Sequence, residues 1–374
     1  MTLSRRQVLG ASALALTAGA TPLAASSPAS ANPAAGGISR PDRLWPLVIR
    51  EQGSFSAGGT VKRTEGVFNP RTPFDPQGQT LHGDHASVRY QIPEGPRRIP
   101  LVFLHGAGQS ARSWETTPDG RDGFQNIFLR RGRGVYLVDQ PRRGQAGQSA
   151  VPTTITADTS DQNWFTQFRI GVWPGYYPGV QFPRDEESLN QFFRQMTPNT
   201  GPYDEEVISD AMAAVFTRSG RGILVTHSQG GGPGWRTAMK SPRVRAVVAY
   251  EPGGAFTFPD DEMPEPIPNN YATVTGTSVP RQEFLKLTKI PIVLYYGDNI
   301  PSQPSDIPAQ DYWRAVSQMA RRWAALINRN GGDVTVVHLP DEGIHGNTHF
   351  LFSDLNNIEV ANHLSAWLRR KNLR

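Results

Sequence analysis

The sequence predicts an α/β fold with a mostly parallel sheet flanked by helices. Short apolar runs that do not alternate with polar residues are separated by segments with helical periodicity. Strands buried on both faces have such Val- and Ile-rich runs, and strands that alternate with helices pair in parallel through right-handed crossovers. The six runs are IPLVFL (99–104), VYLV (135–138), ILVTH (223–227), VRAVVAY (244–250), IPIVLYY (290–296) and DVTVVH (333–338).

The elements around these runs follow from their own patterns. Residues 32–95 show the alternation of antiparallel strands, for example in ASVRYQIP at 86–93. Three segments place apolar residues at helical spacing, and the first of them ends at Gly220, a typical helix stop. These helical segments cover residues 204–220, 308–332 and 356–373.

The N-terminus has the order of a secretory signal. Arg5 and Arg6 precede an apolar stretch over 8–20, and Ala29-Ser30-Ala31 offers an A-x-A cleavage site. The twin arginine resembles a Tat signal, so we expect residues 1–31 to direct export, cleavage after Ala31, and a secreted or periplasmic protein. The alternative is a disordered tail. The apolar stretch is too short and too rich in alanine to be a stable membrane anchor.

Composition limits the classes of function. The chain has 374 residues, a formal net charge of +5 and no cysteine. Without cysteine, a thiol nucleophile, a thiolate metal site and a disulfide are all excluded. The arginines are spread along the chain and form no basic block interleaved with aromatic residues, so we expect no nucleic-acid partner.

Two long segments interrupt the regular alternation of strands and helices. Residues 150–203 are rich in aromatic residues, and residues 254–288 are rich in proline and polar residues. Long segments of this kind in a compact domain are typically functional lids or disordered, and the aromatic residues argue against disorder in the first. We predict one domain over 32–374, with both segments as insertions covering the active site and the first resembling a lid. The aromatic side chains could instead only pack the insertion onto the body, and one residue can do both.

Ser228 is the candidate nucleophile. It follows the run ILVTH and precedes a glycine cluster, which is the strand–turn–helix context that exposes a reactive serine. The usual pattern is G-x-S-x-G, in which Gly230 fits but Thr226 replaces the first glycine. A threonine would fit there if the neighbouring backbone receded. A Ser/Gly-rich turn is the alternative, whereas a phosphate-binding loop would need a lysine that is missing.

Two backbone N–H groups are the candidates for an oxyanion hole. Gln229 follows the nucleophile, and its N–H can face a developing oxyanion. The second donor should come from the loop after an earlier strand, where HGAG stands at 105–108. We assign it to Ala107. His105 is interpreted as a structural histidine that braces this loop.

These motifs together resemble the α/β-hydrolase superfamily from about residue 86 to the end of the chain. The resemblance rests on LHGAG (104–108), VDQPRRGQAGQS (138–149), THSQGG (226–231) and a late histidine. More narrowly, the chain resembles secreted bacterial esterases that use glutamate as the triad acid. The narrower resemblance rests on SWETTPDGRDGF (113–124), HSQGG (227–231), YEPGG (250–254) and GNTHF (346–350).

The position of the triad acid departs from the usual one in this superfamily, which is a G-x-x-D arrangement after the seventh strand. Three residues beyond Gly297 stands Ile300, which cannot orient an imidazole. Glu251 directly follows the run VRAVVAY (244–250), which corresponds to the sixth strand of the superfamily and lies beside the strand that precedes Ser228. From there its carboxylate can reach the histidine of the triad. We assign Glu251 as the acid. The alternative is Asp298, which could also be a turn residue that bonds to its own backbone.

The base must follow the last strand of the sheet. Both His345 and His349 lie on the loop beyond that strand, whereas His338 lies inside it and is interpreted as structural. We assign His349, which stands in GNTHF, and keep His345 as the alternative base.

These roles predict a serine hydrolase that cleaves carboxylic esters through an acyl-enzyme, with no metal or organic cofactor. Amidase, lactonase or peptidase activity on the same triad is an alternative, as is a catalytically silent binding protein. The expected partner is a small-molecule or environmental ester, with an apolar or aromatic group suggested by the first insertion. The sequence identifies neither the substrate nor the oligomeric state.

Overall fold

The computed structural model describes residues 46–97 and 99–373. The signal sequence predicted at 1–31 lies outside the described residues. The strands are β1 (Ile49–Ala57), β2 (Thr60–Arg63), β3 (Thr80–Gly83), β4 (Ala86–Pro93), β5 (Leu101–Leu104), β6 (Val135–Asp139), β7 (Gly171–Val172), β8 (Gly175–Tyr176), β9 (Gly222–His227), β10 (Val244–Tyr250), β11 (Thr257–Pro259), β12 (Thr277–Val279), β13 (Pro291–Tyr296) and β14 (Asp333–His338).

The helices alternate with the later strands of the chain, as the sequence predicts. Helices α4, α7 and α8 correspond to the three helical segments expected from the periodicity of the sequence. The helices are α1 (Phe124–Arg130), α2 (Asp161–Gln167), α3 (Glu186–Arg194), α4 (Glu205–Ser219), α5 (Gly231–Lys240), α6 (Arg281–Phe284), α7 (Pro308–Arg329) and α8 (Asn357–Arg370).

The main sheet has eight strands in the order β1-β4-β6-β5-β9-β10-β13-β14. The six buried runs form the six strands from β6 to β14 in this order, and every neighbouring pair among them is parallel. Only the first two strands are antiparallel, because β1 pairs with β4 and β4 with β6 in that sense. The predicted mostly parallel α/β fold is therefore confirmed.

Two apolar cores lie on the opposite faces of this sheet. Alternate residues of β9 divide between them: Leu224 belongs to one core, and Ile223 and Val225 belong to the other. Helices α4, α5 and α7 contribute to the core of Leu224, while α1 and α8 contribute to the second core. The absence of polar alternation in the strand sequences follows from this burial on both faces.

A short segment, residues 63–80, is a separate compact unit within the described part of the chain. Its ends are joined by backbone hydrogen bonds, from Thr64 N to Gln79 O at 3.0 Å and from Gly78 N to Glu65 O at 2.9 Å. The sheet and its helices belong to the other unit.

The two long interruptions contain ordered elements of their own. Residues 150–203 hold α2, α3 and the antiparallel pair β7–β8, and residues 254–288 hold the parallel pair β11–β12 and α6. Among the helices of the described residues, none has the length and apolar character required to cross a membrane.

Candidate active site

Ser228 lies on the sharp turn between β9 and α5. Its φ of +52° places a non-glycine residue in the left-handed region, as is typical of a strained functional turn. Two glycines allow the surrounding backbone to come close. A Cβ added to Gly106 would lie 2.6 Å from Ser228 Cβ, and one added to Gly230 would lie 2.6 Å from His105 O. The turn therefore depends on glycine at both positions.

The accommodation of Thr226 differs from the expectation that the neighbouring backbone recedes. Thr226 is fully buried in β9, and its methyl group points to helix α5. A Cβ added to Gly234 of that helix would lie only 2.8 Å from Thr226 Cγ2. The space that a glycine in the strand would leave is thus supplied by a glycine in the helix.

A cavity of about 360 Å³ opens beside Ser228. The two residues assigned to the oxyanion hole, Ala107 and Gln229, line it together with the serine. Both long insertions contribute to its wall, and helix α7 adds two aromatic residues that the sequence did not single out. The remaining lining residues are Trp164, Gln167, Phe168, Tyr203, Glu205, Gly253, Gly254, Ala255, Tyr271, Tyr312 and Trp313.

Glu251 directly follows β10 and is fully buried. Its Oε2 lies 3.3 Å from His349 Nδ1. Its Oε1 accepts hydrogen bonds from Arg169 Nη2 and from Gly297 N, each at 2.5 Å. Glu251 has a φ of +50°, so the chain turns sharply just where the carboxylate is presented. The structure thus brings the two sequence-assigned residues of the acid–base pair together.

His349 is held between aromatic rings in the interior. Its ring stacks on Phe168, with centroids 5.1 Å apart and planes inclined by 2°, and lies 4.5 Å from the ring of Trp313. Its backbone N–H donates to Phe168 O at 2.9 Å, and its carbonyl oxygen accepts from His227 Nε2 at 3.0 Å. His227 directly precedes Ser228 in the chain, so this bond ties the turn of Ser228 to the loop of His349.

The second ring nitrogen of His349, Nε2, is available to accept a proton. Within the described residues, His349 Nε2 is buried and has no hydrogen-bond partner. The serine–histidine hydrogen bond of a serine hydrolase is often long before substrate binds. A fixed Nδ1 and an unoccupied Nε2 are what a general base beside a serine needs.

Comparison with known proteins identifies the family of the chain. A family model described as "Alpha/beta hydrolase family" matches residues 101–348. The chain belongs to the alpha/beta hydrolase family. The chain is also similar to "Probable secreted lipase phiG" of Fungal sp. (strain ATCC 74256), with 27% identity over 315 residues that cover 76% of this chain and 85% of the relative.

A solved structure resembles this α/β hydrolase over nearly its whole length. It is described as "The Atomic Resolution Structure of a Novel Bacterial Esterase" and is 27% identical. The match covers 88% of this chain and 98% of the esterase, with a TM-score of 0.70.

Burial determines the protonation of the acid–base pair in this α/β hydrolase. Desolvation, followed by the positive charge of Arg169, lowers the pKa of His349 well below its usual value. The imidazole is therefore neutral at neutral pH and able to accept a proton. Burial raises the pKa of Glu251, while Arg169 and the N–H of Gly297 oppose that rise by bonding to the carboxylate.

The side chains of the alternative acid and base lie close to each other. Asp298 Oδ2 is 3.8 Å from His345 Nδ1, and the His345 side chain is 67% exposed. Asp298 Oδ1 accepts from the N–H of Asn299 at 2.7 Å, and Oδ2 accepts from that of Gly346 at 2.9 Å. Asp298 thus bonds to the backbone of its own turn and to that of the final loop.

The remaining histidines near the site have structural contacts. His105 is fully buried, and its ring nitrogens lie 3.0 Å from Gly106 O and 3.3 Å from Gln140 N, which braces the loop that contains Ala107. Within the described residues, no group of three or more histidine, aspartate or glutamate side chains could hold a metal ion.

A buried carboxylate stabilises the loop that carries His349. Asp354 accepts from Thr348 N at 2.7 Å, from Thr348 Oγ1 at 2.8 Å and from Asn347 Nδ2 at 3.1 Å. Burial raises the pKa of Asp354 to about 7 against the effect of these donors. Arg169, Trp313 and His227 were not predicted from the sequence, because each acts through contacts between distant parts of the chain. Asp354 was missed as well, although its partners lie only six and seven positions away.

Proposed function

We propose that the chain, a carboxylic ester hydrolase of the α/β-hydrolase type, works through an acyl-enzyme formed on Ser228. The observation that carries this proposal is a strained serine turn on a cavity, linked through His227 to the loop of a buried histidine whose Nδ1 lies 3.3 Å from a buried glutamate. These are the parts that turn a serine hydroxyl into a nucleophile.

In the first half of the reaction, Ser228 Oγ attacks the ester carbonyl carbon while His349 Nε2 takes the hydroxyl proton. Glu251 Oε2 accepts from Nδ1–H and stabilises the imidazolium. The N–H groups of Ala107 and Gln229 hold the oxyanion, and each contributes about 3 kcal/mol to transition-state stabilisation. When the tetrahedral intermediate collapses, the imidazolium protonates the leaving alcohol and the acyl group remains on the serine.

In the second half, water attacks the acyl-enzyme. His349 Nε2 takes a proton from this water and then returns it to Ser228 Oγ as the carbonyl–serine bond breaks. The carboxylic acid leaves and the serine is regenerated. Both steps conserve atoms and charge without a cofactor.

The lining of the cavity suggests the class of ester. Six of its residues are aromatic, namely Trp164, Phe168, Tyr203, Tyr271, Tyr312 and Trp313. Among the described residues that line the cavity, Glu205 alone carries a formal charge, and none is basic. We therefore propose that the substrate is a neutral ester with an apolar or aromatic group.

We also propose that the enzyme is exported. The twin arginine at residues 5–6, the apolar stretch and the A-x-A site support this, and the fungal relative bears the word "secreted" in its name. The mass of the exported protein tests cleavage after Ala31. A mature chain beginning elsewhere would contradict the assigned site.

Hydrolysis of p-nitrophenyl acetate and butyrate by the wild type and by Ser228→Ala tests the enzymatic proposal. We expect turnover by the wild type and its loss in the variant. Equal rates for the two proteins would refute the role of Ser228. For the substrate class, kcat/KM for neutral aromatic esters should exceed that for matched esters bearing a free carboxylate.

A further inference from the structure

The guanidinium of Arg169 lies buried behind the Glu251–His349 pair, outside the set of residues that the triad requires. We propose that Arg169 is a positioning residue of this active site, which fixes the rotamer of Glu251 and supplies a permanent positive charge behind the base. This inference rests on the proposed function of Ser228, Glu251 and His349. It also makes the aromatic insertion a part of the catalytic machinery.

The hydrogen bonds of Arg169 hold the carboxylate of Glu251 in a single orientation. Arg169 Nη2 donates to Glu251 Oε1 at 2.5 Å, and both side chains are fully buried. Arg169 Nε donates to Asp298 O at 3.0 Å, which anchors the guanidinium to the loop after β13. Gly297 N also donates to Oε1, so Oε2 is the oxygen left for His349. Two hydrogen bonds from different nitrogens of one planar guanidinium fix its orientation as well as its position.

The backbone and neighbours of Arg169 hold its side chain in position for the contact with Glu251. Arg169 follows α2 with a φ of +56°, a conformation unfavourable for a non-glycine residue. The preceding residue, Phe168, accepts the backbone N–H of His349 and stacks on its ring. Trp313 donates from Nε1 to Gln167 O at 2.7 Å, and the guanidinium lies 5.1 Å from the Trp313 ring centroid. The insertion is thereby bonded to both members of the acid–base pair.

The charge of Arg169 opposes protonation of His349, and the other titratable groups near the pair do not replace it. His227, on β9, has its ring centroid 4.5 Å from that of His349, and burial lowers its pKa well below the usual value, so it is neutral. Burial raises the pKa of Tyr296, on β13, so it is neutral as well. Asp354 bonds to Thr348, which precedes the base, and titrates with a pKa of about 7. Arg169 is thus the cation that acts on the pair at neutral pH.

Two variants separate positioning from simple stability. In Arg169→Gln the positive charge is lost, so the pKa of His349 and that of Glu251 both rise. We expect the acid midpoint, the pH at which kcat/KM falls to half on its acid side, to move up by about one pH unit. We expect kcat to fall about 100-fold through misplacement of the carboxylate. KM should change little, because Arg169 does not line the cavity.

Arg169→Lys keeps the charge but cannot bond to both Glu251 and Asp298 in the same fork. We expect its acid midpoint to stay near that of the wild type while kcat falls at least 10-fold. If the glutamine variant does not fold, the lysine variant carries the test. Wild-type kcat in Arg169→Lys would overturn the proposal, as would an unshifted acid midpoint in a folded Arg169→Gln.

Arg142→Gln is the matched control. Arg142 forms another buried ion pair, with Nε 2.8 Å and Nη2 2.9 Å from the carboxylate of Asp84. Its loss should lower thermal stability without moving the acid midpoint. An equal shift in this control would show that the effect in Arg169→Gln is not specific. The proposed function fails separately, through a wild type no more active than Ser228→Ala.

Discussion

At the residue scale, Glu251 and Asp298 are two carboxylates with opposite surroundings. Glu251 is fully buried and faces His349, whereas Asp298 bonds to the backbone of its own turn. Removing the charge of a triad acid lowers turnover by about 10⁴-fold in a well-studied serine protease. We expect a loss of that order in kcat for Glu251→Gln and only a few-fold loss for Asp298→Asn. The reverse order in steady-state kinetics would transfer the role to Asp298.

The two histidines of the final loop differ in the same way. His349 is buried against Phe168 and Trp313, and His345 is exposed beside Asp298. We expect His349→Ala to lose about 10⁵-fold or more in kcat, because without the base the serine is not activated. His345→Ala should remain within a few-fold of the wild type. A large loss in His345→Ala alone would identify it as the base instead.

At the scale of elements, the packing of β9 against α5 depends on Gly234. Alanine normally stabilises a helix by about 0.5–1 kcal/mol relative to glycine. Here the added methyl would lie 2.8 Å from Thr226 Cγ2, so we expect Gly234→Ala to lower the free energy of unfolding by about 1–3 kcal/mol.

Thr226→Ala provides the matched background for this prediction. Without the threonine methyl, the nearest threonine atom that remains is Cβ at 3.7 Å, an ordinary contact. In that background Gly234→Ala should be neutral or stabilising. Chemical denaturation of the four proteins measures this coupling, and additive effects of the two substitutions would contradict the packing explanation.

Sequence patterns predicted the strands well, because burial on both faces of the sheet requires a continuous run of apolar residues. Each of the six apolar runs became a parallel strand, and Ile300 at the usual acid position pointed to Glu251. No comparable signal marks Arg169 and Trp313 in the sequence, since their roles depend on contacts with residues far away in the chain, such as the 82 positions between Arg169 and Glu251. The contact between Thr226 and Gly234 was missed because the two residues lie in different elements, a strand and the helix that follows it.

At the scale of the whole molecule, buried histidines make stability depend on pH. Burial lowers the pKa of His105 to about 4 and those of His227 and His349 well below the usual value. In the unfolded chain all three bind protons near pH 6.5, so the unfolded state takes up more protons and acid favours it.

Two carboxyl groups oppose this trend. The pKa of Asp354 is raised to about 7 and that of Glu251 is also raised, so the folded state binds their protons first and gains stability as the pH falls. Three histidines outweigh two carboxyl groups. We expect the free energy of unfolding to fall by roughly 1–2 kcal/mol per pH unit from about pH 6 to pH 5. Constant or rising stability in urea titrations over this range would contradict it.

The proposed mechanism requires Ser228 as the nucleophile, activated by His349 and Glu251. A fluorophosphonate probe reacts covalently with an activated serine, and mass spectrometry of the digested protein locates the adduct. We predict one adduct on the peptide that contains Ser228 in the wild type, and none in Ser228→Ala or, at the same exposure, in His349→Ala. An unlabelled wild type, or an adduct on another serine, would contradict the account.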